Sequence, residues 1–358
     1  MFERIKRLLK GSDNKKSALT IYGDRPSYQF SGTQYIEHCA DLQDINIALA
    51  VRRICDKLAG LDQDILVEQS EGGDLTYETE DDHPAYKLLD SPNEYTDCAE
   101  FRRHCFQSLI LTGNALAVIE PTSGENESGF KLWQQPPGAI EITGSPKDGI
   151  PLVYILDPNQ KRIKLLPEQV LHIKLYDYRY PFVGQSLIRA AKEHIESNKF
   201  AVDVNKQFFR NGAFTGGYFE DQTLTGLTDD QIKRVKAQWE EYHAGTRNSG
   251  KTAVIPKDMK YNPDGMSTFK DMMFVEGIKL NREQILGLLG IPPTIAGIME
   301  FASYANALIE KRSFWEDTLI PFIMIYQSAI DRQVIHRLFD KEHFCELDLS
   351  GVGALQDD

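Results

Sequence analysis

The chain has no apolar run long enough to cross a bilayer and no secretory signal at its start, so neither a membrane span nor export is expected. Cysteine is scarce. Cys39, Cys55, Cys98, Cys105 and Cys345 are odd in number and lack paired spacing, which argues against a disulfide framework and for reduced thiols in a cytosolic setting. Positive charge is in deficit: Lys and Arg number 40 against 53 Asp and Glu, a formal net charge of -13. Tight non-specific DNA binding relies on cations that displace counterions, so an acidic chain is a poor candidate for it, although it can surround DNA without gripping it. There is no Gly-x-Ser-x-Gly elbow, no second histidine to complete a zinc motif after Glu193-His194, and no convincing carboxylate pair. No catalytic residue, cofactor or metal ligand is assigned, and no enzyme is expected.

What is present is an ordinary globular composition, 41% hydrophobic and 26% charged, over 358 residues, enough for two or more domains. The stretch 266–337 organises the rest. A first helix runs through Phe269, Met272, Met273, Leu280, Ile285, Leu288 and Leu289. It breaks at Gly290-Ile291-Pro292-Pro293, since neither proline can donate an N–H and Pro293 forces its predecessor out of the α region. A second apolar run from near Ala302 to Ile335 has helical spacing, and Pro321 in its middle predicts a kink.

Upstream, residues 1–10 form a short basic amphipathic segment, for which a membrane-surface helix is the alternative to the simpler reading of a frayed terminus that docks on a partner or stays mobile, and 10–33 are polar and loose. A helix over 44–60 carries the stripe Ile47, Val51, Ile54 and Leu58. Strands at 64–69 and 75–78 flank a Glu71-Gly72-Gly73 turn. A helix near 85–89 closes at Asp90-Ser91-Pro92-Asn93. Thr96 then caps a helix that buries Phe101, Cys105, Leu109 and Leu111 and stops at Gly113-Asn114. Short strands follow at 115–120, 132–136, 139–143, 152–156, 161–166 and 170–174, giving an α+β half with an antiparallel sheet. A helix over 186–210, capped by Ser186, shows the stripe Ile188, Ala191, Ile195, Val202 and Phe208 or Phe209, and ends at Asn211-Gly212. Between the two long helices lies a small α+β module, 212–265. It has a Gly-rich strand at 213–220 and a Thr228-Asp229-Asp230-Gln231 capping box. Its helix carries Ile232, Val235, Trp239 and Tyr242, and a strand follows at 252–256.

Gly245-Thr246-Arg247-Asn248-Ser249-Gly250-Lys251-Thr252 matches the P-loop pattern. A P-loop needs a strand leading in and a helix leading out, so that loop amides and a helix N-terminus face the phosphates. Here a helix precedes and an extended run ending in Pro256 follows, and no strand ending in Asp-Glu is present to hold Mg²⁺. A polar turn carrying Gly245, Gly250, Lys251 and Thr252 is the simpler reading. Cys98, His104 and Cys105 fit core packing better than zinc, because Cys105 lies on the apolar face of its helix, and His172 in an alternating strand reads as structural.

In order along the chain stand His83-Pro84, Leu88-Leu89, Ser91-Pro92-Asn93, Phe101, Leu111-Thr112-Gly113-Asn114-Ala115, Val170-Leu171-His172-Ile173 and Gly184-Gln185-Ser186-Leu187. There follow Phe208-Phe209-Arg210-Asn211-Gly212-Ala213 with Gly216-Gly217, and Trp239 with Gly245, Asn248, Gly250 and Lys251. The series closes with Gly290-Ile291-Pro292-Pro293, Tyr304-Ala305-Asn306, Phe314, Leu319-Ile320-Pro321 and Leu347-Asp348-Leu349. Each motif alone is weak, but the ordered series, covering most of the chain after about Asp44, resembles the portal proteins of tailed bacteriophages, of the short type found in long-tailed phages and prophages.

The resemblance implies an α+β portal fold. After a flexible segment 1–43 come a wing (44–185), a stem helix (186–211), a clip (212–265), a second stem helix (266–289), a tunnel loop (290–303), the rest of the wing with the Pro-kinked helix and last strand (304–350), and a tail 351–358 where a helical crown is absent or trimmed. It implies a homo-oligomeric ring, usually a dodecamer, at one capsid vertex, through which double-stranded DNA is packaged and ejected. The clip would face the terminase large subunit and later the head–tail adaptor, and the ring would meet major capsid and scaffold proteins, with no membrane involved. The virion, and the host cytoplasm during assembly, are the implied locations. Thr294, Ile295, Ile298, Met299, Glu300 and Phe301 would face DNA, in a stretch from Glu283 to Glu310 without a single Lys or Arg. A P-loop ATPase subunit of a packaging motor and another head–tail connector ring are the alternatives.

Overall fold

The computed structural model describes residues 28–31, 44–71, 74–122, 128–136, 140–144, 151–156, 162–178, 182–210, 217–221, 228–243, 259–263, 274–298 and 304–356. The chain divides into two compact units. One takes residues 51–187 and 304–358 together with 1–40; the other takes 41–50 and 188–303.

After β1 (Tyr28–Ser31), α1 (Ile45–Ala59) starts where the Asp44 carboxylate accepts the Asn46 N–H at 2.8 Å. Its expected stripe Ile47, Val51, Ile54 and Leu58 is buried. β2 (Gln63–Glu71) and β3 (Asp74–Thr79) pair antiparallel up to Glu71 opposite Asp74, the hairpin expected at the glycine pair. α2 (Pro84–Asp90) is capped by His83. α3 (Cys98–Thr112) is capped by Asp97, whose carboxylate takes the Glu100 N–H at 2.7 Å; Thr96, the expected cap, instead accepts from the Gln134 side chain. The face of α3 that turns inward holds Phe101, Cys105, Phe106, Leu109 and Ile110, so Leu111, expected inside, is only half-buried.

The strands β4 (Asn114–Pro121), β5 (Phe130–Gln135), β6 (Ile140–Gly144), β7 (Pro151–Leu156), β8 (Arg162–Leu165) and β9 (Val170–Lys174) follow close to their predicted positions. α4 (Lys192–Arg210) begins later than predicted: a 3₁₀ turn, Ile188–Ala191, precedes it, and Ser186 is buried rather than capping it. Ile188, Ala191 and Ile195 are buried as expected, but Val202 is exposed and Ala201 takes the inward position. The stop at Asn211-Gly212 lies outside the described residues.

In the module that follows, β10 (Gly217–Asp221) pairs antiparallel with β11 (Met259–Pro263), and α5 (Asp229–His243) lies between them in sequence. The strand expected at 252–256 lies outside the described residues, and β11 was missed because its alternation, Met259 and Tyr261 against Lys260 and Asn262, is short and runs into a proline. Half of the capping box forms: the Gln231 side chain accepts from the Thr228 N–H at 2.9 Å, while the Gln231 N–H goes to the Thr228 main-chain carbonyl.

α6 (Phe274–Leu288) and α7 (Tyr304–Ser313) lead to a wide π turn, Phe314–Leu319, then α8 (Ile320–Ile330), a second π turn, Asp331–Ile335, the short α9 (His336–Leu338) and β12 (His343–Leu347). The disturbance expected at Pro321 thus takes the form of a π turn ahead of it, where the Ile320 N–H reaches back to the Trp315 carbonyl. Proline offers no N–H to the preceding turn, and longer-range bonds re-pair the ladder there.

Pairing is antiparallel throughout the described strands, but the single sheet expected is divided into β5-β4-β9, β12-β2-β3 and β1-β6-β7-β8, with β10-β11 apart. In the first unit the core joins α3 and α8 through Phe106 and Tyr326, rings 5.3 Å apart. Arg102, buried beside them, closes the end of α1: its guanidinium donates to the carbonyls of Ala59 at 3.0 Å and Leu61 at 2.6 Å. A helix C-terminus leaves such carbonyls without partners, and a buried cation is tolerated where it supplies them. Among the described residues no helix is long and apolar enough to cross a membrane.

Candidate functional site

The end of α6 explains the break differently from the prolines. Gly290 adopts a left-handed φ of 67°. Its N–H bonds the Gly287 carbonyl at 3.0 Å, and the Ile291 N–H bonds the Leu286 carbonyl at 2.9 Å. Those two bonds form a Schellman stop, and buried Leu286 and Ile291 supply the apolar pair that accompanies it. The prolines then open a new turn, since fixed φ suits a helix start. That turn ends in the same way: Gly297 has φ 83°, its N–H bonds the Thr294 carbonyl at 3.0 Å, and the Ile298 N–H bonds the Pro293 carbonyl at 2.8 Å. The loop is therefore a compact turn held between two glycine stops.

Of the residues expected to face DNA, Thr294, Ile295 and Ile298 are half-buried on this turn, while Met299, Glu300 and Phe301 lie outside the described residues. Ile45, Leu49, Leu286 and Ile298, with Arg282, line an open cleft of about 360 Å³ beside it. A polar chain steadies the helices beneath: Asn198 donates to Asp44 at 3.3 Å, Asn281 donates to Asn198 at 2.9 Å, and His194 Nδ1 lies 3.1 Å from Asn281 Oδ1. Gly245, Gly250, Lys251 and Thr252 lie outside the described residues, but the element leading to them is α5, a helix, where a phosphate-cradling loop needs a strand.

Three of the sequence motifs meet elsewhere, in the first unit. Asn114 Oδ1 accepts the Gly184 N–H at 2.7 Å and its amide donates to the Gly184 carbonyl at 2.9 Å. The same Oδ1 lies 3.0 Å from His172 Nε2. Burial pushes the His172 pKa down to about 3, so the ring is neutral and donates. Along the open edge of β9, the Gln333 side chain mimics a neighbouring strand: it accepts the His172 N–H at 2.9 Å and donates to the His172 carbonyl at 2.8 Å. A Cβ built on Gly113 would sit 2.4 Å from the Gln185 backbone, and one on Gly184 would sit 1.9 Å from the Gly113 carbonyl oxygen. This is a backbone crossing, not a reactive centre.

Cys105 is buried on the inward face of α3, where the sequence placed it as core. Burial drives the Cys105 thiol far above its usual pKa, and His104 Nε2 lies 3.1 Å from the Gln135 carbonyl. Sequence reading missed a different cluster, His83 with Asp340 and His343, whose members are 257 residues apart in the case of His83 and Asp340.

An uncharacterised protein of Rickettsia bellii (strain RML369-C) is 26% identical over 283 residues, covering 76% of this chain and 71% of that protein. A probable portal protein of Streptomyces phage phiC31 is 24% identical over 254 residues, 68% of this chain and 54% of its own length. Among solved structures, the neck of a native GTA particle computed with C12 symmetry contains a chain of similar fold, with a TM-score of 0.64 at 20% identity, covering 93% of this chain and 88% of that one. The profile of the family described as "Phage portal protein" matches residues 46–358, nearly the whole described structure, and the chain belongs to that family.

Proposed function

We propose that this portal protein closes into a head-to-tail ring of twelve, whose central passage carries double-stranded DNA into and out of a capsid and whose tunnel loop, 290–303, touches the duplex without holding it. In this reading the first unit is the wing, α4 and α6 belong to the stem, and 212–265 is the clip that meets the terminase large subunit and later the head–tail adaptor. The wing meets major capsid and scaffold proteins. The protein works in the virion after assembling in the host cytoplasm, and it hydrolyses no nucleotide. The twelve-fold count rests on the family resemblance; similar GTA necks were computed with C12 symmetry in one case and C6 in another. Interfaces of a permanent ring bury above roughly 2,000 Å² each.

The observation that carries the reading is the loop itself. Two glycine stops fix a turn bearing Thr294, Ile295 and Ile298, in a stretch from Glu283 to Glu310 that has no Lys or Arg. Each phosphate neutralised would add affinity through counterion release, so a loop without cations lets DNA slide. A ring multiplies the effect, since every subunit adds another Glu300. Glu300→Lys is expected to leave the ring assembled, raise DNA affinity and its salt dependence, and slow packaging in matched procapsids. Normal packaging and retention by both Glu300→Lys and a deletion of 295–301 would remove the loop from translocation. For the P-loop look-alike, Lys251→Ala is expected to leave folding intact and the wild type to show no ATPase of its own; Mg²⁺-dependent stoichiometric ATP binding lost in that variant would overturn the structural reading.

A further inference from the structure

Within the first unit, four ionisable side chains meet where the long helical run turns into β12. His83 Nδ1 accepts the Ala85 N–H at 3.1 Å, so the proton of this ring is on Nε2, which donates to Asp340 Oδ2 at 3.0 Å. His343 differs. Its Nδ1 lies 2.8 Å from Asp340 Oδ1 and its Nε2 lies 2.5 Å from Glu80 Oε2. Ionised carboxylates only accept, so both nitrogens can be satisfied together only when both carry protons. The two imidazoles stack, centroids 4.2 Å apart and planes 25° apart, and Phe339 closes the apolar side of His83. His336 Nε2 lies 3.1 Å from the main-chain carbonyl of His343 and near the Asp331 carboxylate, which it favours ionised.

We propose that His343 is a proton-operated clasp, which when protonated fastens the start of β12 to the segment between β3 and α2 through Asp340 and Glu80, and which slackens when the proton leaves.

A metal ion is the competing occupant, because ligand atoms of His83, Asp340 and His343 lie within 4.8 Å of one another. Imidazole lone pairs lie in the ring plane, and those of two nearly parallel stacked rings do not converge on one point. His83 Nε2 is also committed to a proton by the cap on Nδ1. Asp340 Oδ1 in turn already takes the N–H groups of Glu342 at 2.9 Å and His343 at 3.1 Å. The arrangement suits a proton.

Burial works against the charge on His343, but the hydrogen bonds and charges of Asp340 and Glu80 outweigh it and raise its pKa above the ordinary 6.5. Burial likewise works against ionised Asp340, and its hydrogen bonds from His343, His83 and two backbone amides pull it well below the ordinary 3.8. A raised histidine stabilises fully below 6.5 and its contribution is lost as pH rises through the folded value; a depressed carboxylate stabilises above 3.8 and its contribution is lost as pH falls through its own. The clasp is therefore firmest between those two values and loosens as the solution turns alkaline.

Global unfolding is a poor readout. Neutral, half-buried His172 pulls stability the opposite way, since the unfolded chain takes up a proton below 6.5 that the folded one refuses. Hydrogen exchange at Phe344–Leu347 and at Ala85, on the assembled full chain and corrected for intrinsic rates, reads the clasp locally. Wild-type protection at these amides should fall severalfold between pH 5.5 and 8.5, while His343→Gln should be unprotected to the same degree at both. Glu80→Gln, a change at a half-exposed site that serves if His343→Gln does not fold, should move the fall to lower pH. Protection that is flat with pH in the wild type, or that falls identically in Glu80→Gln, overturns the proposal. So does stoichiometric Zn²⁺ uptake that raises protection and is lost with His343.

Discussion

Gly113 and Gly297 share a backbone conformation, φ 79° and 83°, and almost nothing else. A side chain begun at Gly113 would meet the Gln185 backbone at 2.4 Å; one begun at Gly297 would have nothing within 4 Å apart from its own chain neighbours. Both end a helical turn, Gly113 within a motif of the portal resemblance and Gly297 beyond the Gly290-Ile291-Pro292-Pro293 motif. The first glycine is required twice, for its left-handed φ and for its missing Cβ, and the second only for its φ. The motif glycine of the crossing thus serves the fold, whereas Gly297, outside the motifs, leaves its neighbourhood open for whatever passes or packs there.

The hardest test of this contrast is at the crossing. Gly184→Ala places a Cβ 1.9 Å from the Gly113 carbonyl oxygen, and both partners are backbone that cannot rotate away. Gly113→Ala adds about 1–2 kcal/mol of left-handed strain to a similar overlap. Either substitution is expected to cost about 4 kcal/mol or more in chemical denaturation. A cost below about 1 kcal/mol would mean the two segments can part without consequence. Asn114→Ala comes next. It removes the acceptor of the Gly184 N–H and of His172 Nε2, and each buried donor left alone costs about 1–3 kcal/mol. A total near 3 kcal/mol is expected, and His172→Ala in the Asn114→Ala background should then cost much less than it does alone.

How much of this was legible beforehand follows from what each element depends on. Apolar spacing located α1, α3 and the strands β4 to β9, because their periodicity faces a core made within the chain. It misjudged α4, where Val202 is exposed at 44% and Phe200 at 71%; periodicity reports that a face is apolar and not which partner covers it. β11 was not read, since its alternation of Met259 and Tyr261 with Lys260 and Asn262 is only five residues long, ends in a proline and is completed by pairing with β10. The double glycine stop could be read only in part: Gly290-Ile291-Pro292-Pro293 marked a break, but the prolines drew attention from the glycine that makes it. The meeting of Gly113, Asn114, His172 and Gly184 could not be inferred from spacing, as long-range hydrogen bonds leave no periodic trace.

At the loop the expected effects shrink. Gly297→Ala meets no atom, so only the left-handed strain remains, about 1–2 kcal/mol by the same denaturation measurement. Stability should fall by much less than at Gly113. A loss as large as at Gly113 would show that the loop is packed as tightly as the crossing, and the contrast would dissolve.

The smallest effect should reverse sign. Gly287 lies in the last turn of α6, with no positive φ and nothing within 4 Å of a built Cβ. Alanine there removes backbone freedom from the unfolded chain and gains helix propensity, together about 0.5–1 kcal/mol of stabilisation. A glycine kept at an open helical position, where alanine is better for the isolated subunit, is a candidate for close approach by another backbone. The two explanations separate in one experiment. Gly287→Ala should raise the denaturation midpoint of the dissociated subunit; if light scattering shows the ring intact as well, the glycine has no role in assembly. If the midpoint rises and the ring fails to close, α6 meets a neighbouring subunit at this point. A fall in the midpoint of the dissociated subunit would refute the open-space reading of α6 itself.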